Sequence, residues 1–143
     1  MCNVTLDQAR TIVAAAFAKA GEMGLNPLTI AVLDAGGAIK VLERTDGSSL
    51  MRPDIAIGKA NGTIQLGIGG RAIFNRAQDQ PYFMQAMNAL AKGSLVPVPG
   101  GVLIRGSDGA ILGAVGVTGD TSDNDEACAI AGIEAAGLTA DAG

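Results

Sequence analysis

Histidine and tryptophan are both missing from this 143-residue chain. Without histidine there is no Ser-His-Asp or Cys-His triad, no imidazole ligand for a metal and no histidine-ligated haem iron. Charge is also scarce. Charged residues make up 17% of the chain, against roughly 25% in an average soluble domain. Ten Lys and Arg face fourteen Asp and Glu, for a net charge of −4. An acidic balance with only 3% aromatics excludes the basic, stacking surface of a nucleic-acid binder. The two cysteines, Cys2 and Cys128, are too few for a disulfide scaffold and sit in unrelated contexts. No run of about 18 apolar residues exists, so no membrane span is expected. The N-terminus, Met-Cys-Asn-Val-Thr, is not a basic region followed by an apolar run. A reduced, cytoplasmic setting is the expectation that follows.

What the chain does have is apolar residues, 48% of the total, and 21 glycines. Its core is therefore built from Ala, Val, Ile and Leu packed closely through Gly. Such a chain is too hydrophobic and too weakly charged for disorder. Its length predicts one domain, residues 1–143, with a core that needs no staples. Few charges on an apolar chain also leave apolar surface exposed, and homo-oligomerisation is the ordinary way to cover it.

The hydrophobic pattern predicts the elements in order. Leu6, Ala9, Ile12, Val13, Ala16, Phe17 and Ala20 recur at helical spacing, behind a Thr5/Gln8 capping box, and Gly21 and Gly24 stop that helix. Leu28 to Leu33 and Ala38 to Glu43 read as a hairpin around Asp34-Ala35-Gly36-Gly37. Arg52-Pro53-Asp54 opens a second helix, running to about Leu66. Gly58 and Gly62 lie inside it, where each costs about 1 kcal/mol against Ala, so another backbone is expected close by. Residues 67–80 read as irregular with a turn of helix at Ile73 to Arg76, and Tyr82 to Ala91 as a short helix. Val102 to Arg105 and Ala110 to Val117 form a second hairpin, with a fifth strand placed near Leu95 to Val98. A last helix starts at a Thr121 or Ser122 cap and ends near Ala136, and the tail from Thr139 to Gly143 reads as loose. Two hairpins separated by helices give an α+β fold with an antiparallel sheet.

Several groups are candidates for chemistry. Lys59 shares a helix face with Arg52 and Thr63 among apolar neighbours, with Asp54 at the helix mouth. It is read either as a base of lowered pKa or an anion anchor, or as a snorkelling surface lysine. Gly67-Ile68-Gly69-Gly70-Arg71 lacks the Gly-Lys-Ser/Thr of a P-loop and follows a helix. It is either a helix exit or an anion cradle completed by Arg71. The run from Gly113 through Thr118 to Asp120 leads into Asp123, Asn124, Asp125 and Glu126. These acids suit either capping and the helix dipole or an oxygen-ligated metal, although EF-hand spacing is absent. Cys128 reads as a small buried residue, and Tyr82, Phe83, Met84 and Met87 as core or as the lining of an apolar pocket.

The run Gly100-Gly101-Val102-Leu103-Ile104, then Asp108-Gly109, then Gly113 to Gly119, then Asp125-Glu126-Ala127-Cys128-Ala129 and Ala131-Gly132 resembles the GlcG/HbpS haem-binding-like family. That family also supplies the C-terminal domain of PduO-type cobalamin adenosyltransferases. Upstream, Ala31 to Gly37, Arg52 to Ala56 and Lys59-Ala60 match too, so the resemblance spans nearly the whole chain. It implies a profilin-like α-β-α sandwich with about five antiparallel strands, and dimers assembling into larger rings, often octamers. One departure stands out. Asn61-Gly62-Thr63 follows Lys59-Ala60, where the family usually has a bulky residue and then Thr-Ala.

Three functional expectations follow. The first is a haem or other tetrapyrrole binder, with Arg52, Lys59 or Arg71 pairing with propionates and either an axial ligand drawn from Met, Cys, Tyr, Lys or a hydroxyl, or iron left solvent-ligated. The second is a metal-independent lyase, isomerase or hydrolase acting on a small organic acid. There Lys59 and Asp125 are the catalytic pair, and Arg52, Asp54, Arg71 and Thr118 bind the ligand. The third is a non-catalytic auxiliary subunit. The sequence leaves turnover open.

Overall fold

The structure is a computed structural model that describes residues 2–143. Among these residues, five helices and five strands follow the order α1 (Leu6–Met23), β1 (Thr29–Asp34), β2 (Ile39–Arg44), α2 (Arg52–Leu66), α3 (Gly70–Asp79), α4 (Pro81–Leu90), β3 (Gly101–Arg105), β4 (Ile111–Thr118), α5 (Ser122–Ala135) and β5 (Thr139–Asp141). The strands form one sheet in the order β2-β1-β4-β3-β5, and every neighbouring pair is antiparallel. The fold is α+β, as expected.

Period-2 alternation divides each central strand between two layers. Ile30, Val32, Val102, Ile104, Val115 and Val117 meet α1 and α5 on one face. Leu33, Leu103 and Ala114 meet α2 on the other. The helix α1 begins as its sequence predicts. The Thr5 hydroxyl accepts from the Gln8 backbone N–H, and the Gln8 side chain accepts from the Thr5 backbone N–H.

The seating of α2 on the sheet depends on small residues. A Cβ at Gly116 of β4 would run into the Ala56 carbonyl oxygen, and one at Gly101 of β3 into the Lys59 carbonyl oxygen. Helix and sheet therefore touch backbone to backbone at these two points. The glycines within α2 serve a second close approach, as the sequence suggested. A Cβ at Gly58 would lie 2.7 Å from Val96 Cγ2, and one at Gly62 3.1 Å from Leu95 Cγ. The strap before β3 lies across α2 there, and the Val96 N–H donates to the Gly58 carbonyl at 3.2 Å.

Three expectations are corrected. The strand placed at Leu95 to Val98 is this strap. Prolines at 97 and 99 remove ladder donors, and the Val98 N–H turns back to the Val96 carbonyl. The fifth strand instead comes from the tail expected to be loose. Residues 139–141 pair with β3, and Arg105 Nε binds Asp141 Oδ2 at 2.8 Å. The irregular stretch after α2 contains the ten-residue helix α3. Its N-terminus has no side-chain cap, and the Arg71 N–H instead donates to the Ala142 carbonyl at 2.9 Å. Both corrections involving the tail come from partners more than thirty positions away, which local patterning does not register.

The glycine contacts set a testable contrast. Gly116→Ala should lower the free energy of unfolding by about 3 kcal/mol or more, because the new methyl meets backbone that cannot rotate away. Gly21→Ala, in α1 with nothing within 4 Å of the new Cβ, should raise it by up to about 1 kcal/mol. Urea unfolding of the two variants measures both.

Candidate functional site

The close approach at Gly101 brings Lys59 against the ends of β3 and β4. Gly100 leaves the room its side chain needs: a Cβ there would sit 2.8 Å from Lys59 Nζ. The ammonium reaches the carbonyl of Val117 at 2.9 Å and Asp125 Oδ2 at 3.2 Å. Lys59 is 3% exposed and Asp125 1%. The pair thus closes a contact between α2, β4 and the first turn of α5. Asp125 is held from its other side too, since Oδ1 accepts from the Asp120 N–H at 3.0 Å.

Burial drives both groups toward neutrality. Loss of solvent lowers the Lys59 pKa, the Asp125 carboxylate acts against that, and the nearby Arg52 charge lowers it further. Loss of solvent likewise raises the Asp125 pKa, while the Lys59 charge and the Asp120 N–H oppose the rise. The two proton affinities are drawn toward each other across a hydrogen bond. Chemically, that is a pair able to pass a proton between nitrogen and oxygen.

Arg52, the first residue of α2, lies next to this pair. Its Nη1 donates to the Thr118 hydroxyl at 2.8 Å, one residue beyond the carbonyl that holds Lys59. Arg52 is half-buried and Thr118 buried. Leu50 and Met51, immediately before it, are 88% and 68% exposed. A cation thus borders an apolar surface just outside the buried pair.

The other expected site residues lie elsewhere or are engaged. Asp54 is exposed and lines a separate hollow with Ile57, Lys92 and Ser94. Arg71 binds Asp123 at 2.6 Å and Glu126 at 3.1 Å. Those hydrogen bonds raise its pKa further and tie α3 to the start of α5. The cradle imagined around Gly69 and Gly70 is filled by the chain itself, because a Cβ at Gly69 would strike the backbone of residues 142 and 143. Arg71 also borders a hollow of about 290 Å³ with Phe74, Pro99, Thr121 and Ser122. Pro99 adjoins Gly100, and the Thr121 carbonyl accepts from the Asp125 N–H. Thr63, on the expected Lys59 face, is buried, and its hydroxyl donates to Ala60. Cys128 is fully buried, and burial, reinforced by Asp125, pushes its thiol up to about 11. It is the small core residue the sequence suggested.

The sequence reading missed two contributions. One is the role of Asp120, which it named only as the end of the run into the acidic helix start. Its carboxylate accepts from the backbone N–H groups of Asn26 and Thr121 and from the Asn124 side chain, which fixes the N–H that holds Asp125. The Val117 carbonyl is the other, and no side-chain signal marks a backbone acceptor.

The pair predicts a double-mutant pattern. Lys59→Met or Asp125→Leu alone should cost about 3–5 kcal/mol, by leaving the other charge buried and unpaired, whereas the double replacement should recover most of that loss. The pH dependence has a definite sign. Between the ordinary Asp value of about 3.9 and the raised value of Asp125, the folded state binds more protons than the unfolded, so this group's contribution falls as pH rises. Between the lowered value of Lys59 and about 10.4, the folded state binds fewer protons, so its contribution grows with pH. Unfolding free energies across pH should show the acidic slope flattened in Asp125→Asn and the alkaline slope flattened in Lys59→Met.

Comparison with known proteins agrees with this architecture. The model of the family described as haem degrading protein HbpS-like matches residues 4–134. An uncharacterized 15.0 kDa protein of the dhaT-dhaS intergenic region of Citrobacter freundii is 30% identical over 127 residues, covering 87% of this chain and 86% of that one. Among solved structures, a PduOC–haem complex superposes with a TM-score of 0.84 over 95% of this chain and 96% of its own, at 20% identity, which shows a shared fold. A double mutant of Streptomyces reticuli HbpS superposes with a TM-score of 0.78 over 94% of this chain and 87% of its own, at 26% identity. With a family match across nearly its whole length, and the fold to go with it, the chain belongs to the HbpS-like family.

Proposed function

We propose that this protein binds a small anionic ligand, foremost haem or another tetrapyrrole, where α2 and β4 present Arg52 and Thr118 beside the buried pair. The observation that carries the reading is the Lys59–Asp125 ion pair, buried at 3.2 Å where α2, β4 and α5 meet. A pair that burial disfavours is weak evidence for stability, and perturbed groups cluster at functional sites. The residues present fit a tetrapyrrole. Arg52 supplies a cation for a propionate. Leu50 and Met51 give an exposed apolar surface for the ring. With no imidazole in the chain, the exposed thioether of Met51, next to Arg52 in sequence, would offer the iron a donor, whereas Lys59 and Cys128 are buried. Haem, when bound, would supply iron chemistry; the chain's own part is to hold the ring edge through Arg52.

A second reading is favoured by the opposed shifts of Lys59 and Asp125. In it the pair acts as proton donor and acceptor on a small organic acid whose carboxylate is held by Arg52 and Thr118, with no metal required. The homo-oligomer expected from composition, extending to a ring of dimers such as an octamer, is supported by exposed Leu50, Met51, Tyr82 and Leu90 on a weakly charged chain.

Haem titration of the purified protein tests the first reading. Wild type should give a saturable, stoichiometric Soret shift. Arg52→Gln should weaken it about tenfold, the loss of one charge pair of about 1.4 kcal/mol, and Met51→Leu should alter the spectrum of the bound iron. Non-stoichiometric binding that is equal in all three proteins would sink it. In that case small organic acids are the probes, with Asp125→Asn expected to abolish turnover and to spare carboxylate binding.

A further inference from the structure

Met84 of α4 has two environments. It packs into the small core cluster with Ile73 and Leu95, and it also lines a hollow of about 240 Å³. Pro81, Met84, Gln85 and Asn88 stand on one stripe of the helix, at positions i, i+3, i+4 and i+7, and form one wall of that hollow. Ala77 of α3 and Leu95 and Pro97 of the strap complete it.

None of these residues is charged. An ion in the hollow would give up hydration to largely apolar walls and meet no counter-charge, so the lining selects a neutral occupant. The volume is smaller than the roughly 300–1,000 Å³ of sites that take drug-sized molecules, which selects a small one. Met84 adds a soft, adjustable surface for an apolar body.

One atom in the wall lacks a partner. Asn88 Oδ1 is buried and accepts no hydrogen bond. It is the one buried side-chain nitrogen or oxygen in that state among the described residues. Buried acceptors are nearly always paired, because an unpaired one loses its hydration and gains nothing in return. The rest of the lining does not supply the donor. Pro81 and Pro97 have no N–H, and the side chains of Ala77, Met84 and Leu95 have no donor. Gln85, the other polar side chain of the wall, is exposed and makes no hydrogen bond to Asn88. The Cβ–Cγ torsion of an asparagine is soft, so a donor entering the hollow can draw the oxygen round to meet it.

We infer that this hollow is a binding site for a small neutral molecule with an apolar body and one O–H or N–H donor, which Asn88 Oδ1 accepts. The inference stands apart from the function proposed above, since Arg52, Lys59 and Thr118 do not line the hollow.

Titration of the isotopically labelled full chain, followed by amide chemical shifts, tests it with three probes. Phenol has an apolar ring and one donor. It should bind saturably, with the largest shifts in α4 and the strap. Anisole has the same ring and no donor, and should bind about tenfold more weakly, the worth of one hydrogen bond. Benzoate should leave these shifts unchanged. Asn88→Leu, which removes the acceptor and nearly keeps the volume, should bind phenol and anisole alike. Ala77→Leu, which fills the hollow, should bind neither. No saturable binding of phenol at α4 overturns the inference. So does equal binding of phenol and anisole by wild type, benzoate binding at α4 as well as phenol, or phenol binding that survives in a folded Ala77→Leu. A preference for phenol that persists in a folded Asn88→Leu overturns it too. If either variant does not fold, the phenol-to-anisole ratio of the wild type decides.

Discussion

The contact of the α2 backbone with the sheet sets the positions of the other groups at the site. Side chains normally hold a helix about 10 Å from a sheet. At Gly101 and Gly116 there is no side chain on the sheet, and the carbonyl oxygens of Lys59 and Ala56 come down onto the strands. This places the Lys59 side chain along the ends of β3 and β4 rather than out in solvent. It also sets Arg52, seven residues earlier on the same helix, over Thr118. The strap through Leu95 and Val96 packs its side chains over Gly58 and Gly62 from the far side and donates one backbone hydrogen bond there, so α2 is held between the sheet and the strap. A methyl group at Gly101 or Gly116 would push the helix away and move Lys59 with it.

The buried ion pair couples this geometry to charge. An ammonium and a carboxylate at 3% and 1% exposure lose their hydration. Their mutual attraction and the further hydrogen bonds, from Lys59 to Val117 and from Asp120 to Asp125, offset only part of that loss. The residual imbalance appears as proton affinities displaced toward each other. The same arrangement that makes the pair a poor source of stability makes its protonation state responsive to what approaches Arg52 and Thr118. An anion arriving there would add a field that favours the Lys59 charge, so binding at the proposed site and protonation of the pair would be linked through a single helix.

The polar clasps outside the pair define what is left open. Arg71 is committed to Asp123 and Glu126, and Arg105 to Asp141. These cations fasten α3 and β5 to the rest of the fold. Arg52 differs, since among the described residues its one side-chain partner is a neutral hydroxyl. A guanidinium without a carboxylate partner, beside exposed Leu50 and Met51, retains most of its capacity for an anion.

Much of this was legible in the chain itself. The helical spacing from Leu6 to Ala20 and the Thr5/Gln8 box gave α1. The two hairpins followed from their turn residues and alternation, and the helical glycines announced a close backbone at α2. Lys59 stood out because it is a charge among apolar neighbours on a helix face that it shares with Arg52 and Thr63. These are local properties: the pattern needed to form each element lies within that element. Tertiary structure alone settled the rest. Thr139 to Asp141 became a strand because β3 offered an unpaired edge and Arg105 a partner for Asp141. Gly70 to Asp79 became a helix because the Ala142 carbonyl took the place of a cap. Arg71 was bound by acids more than fifty positions away, which engages its guanidinium in ion pairs. That Lys59 faces Asp125 is a matter of the same kind. Their sequence separation is 66, and periodicity places a residue on a face without specifying what faces it. Only the packing distance that the glycines permit brings nitrogen and oxygen together.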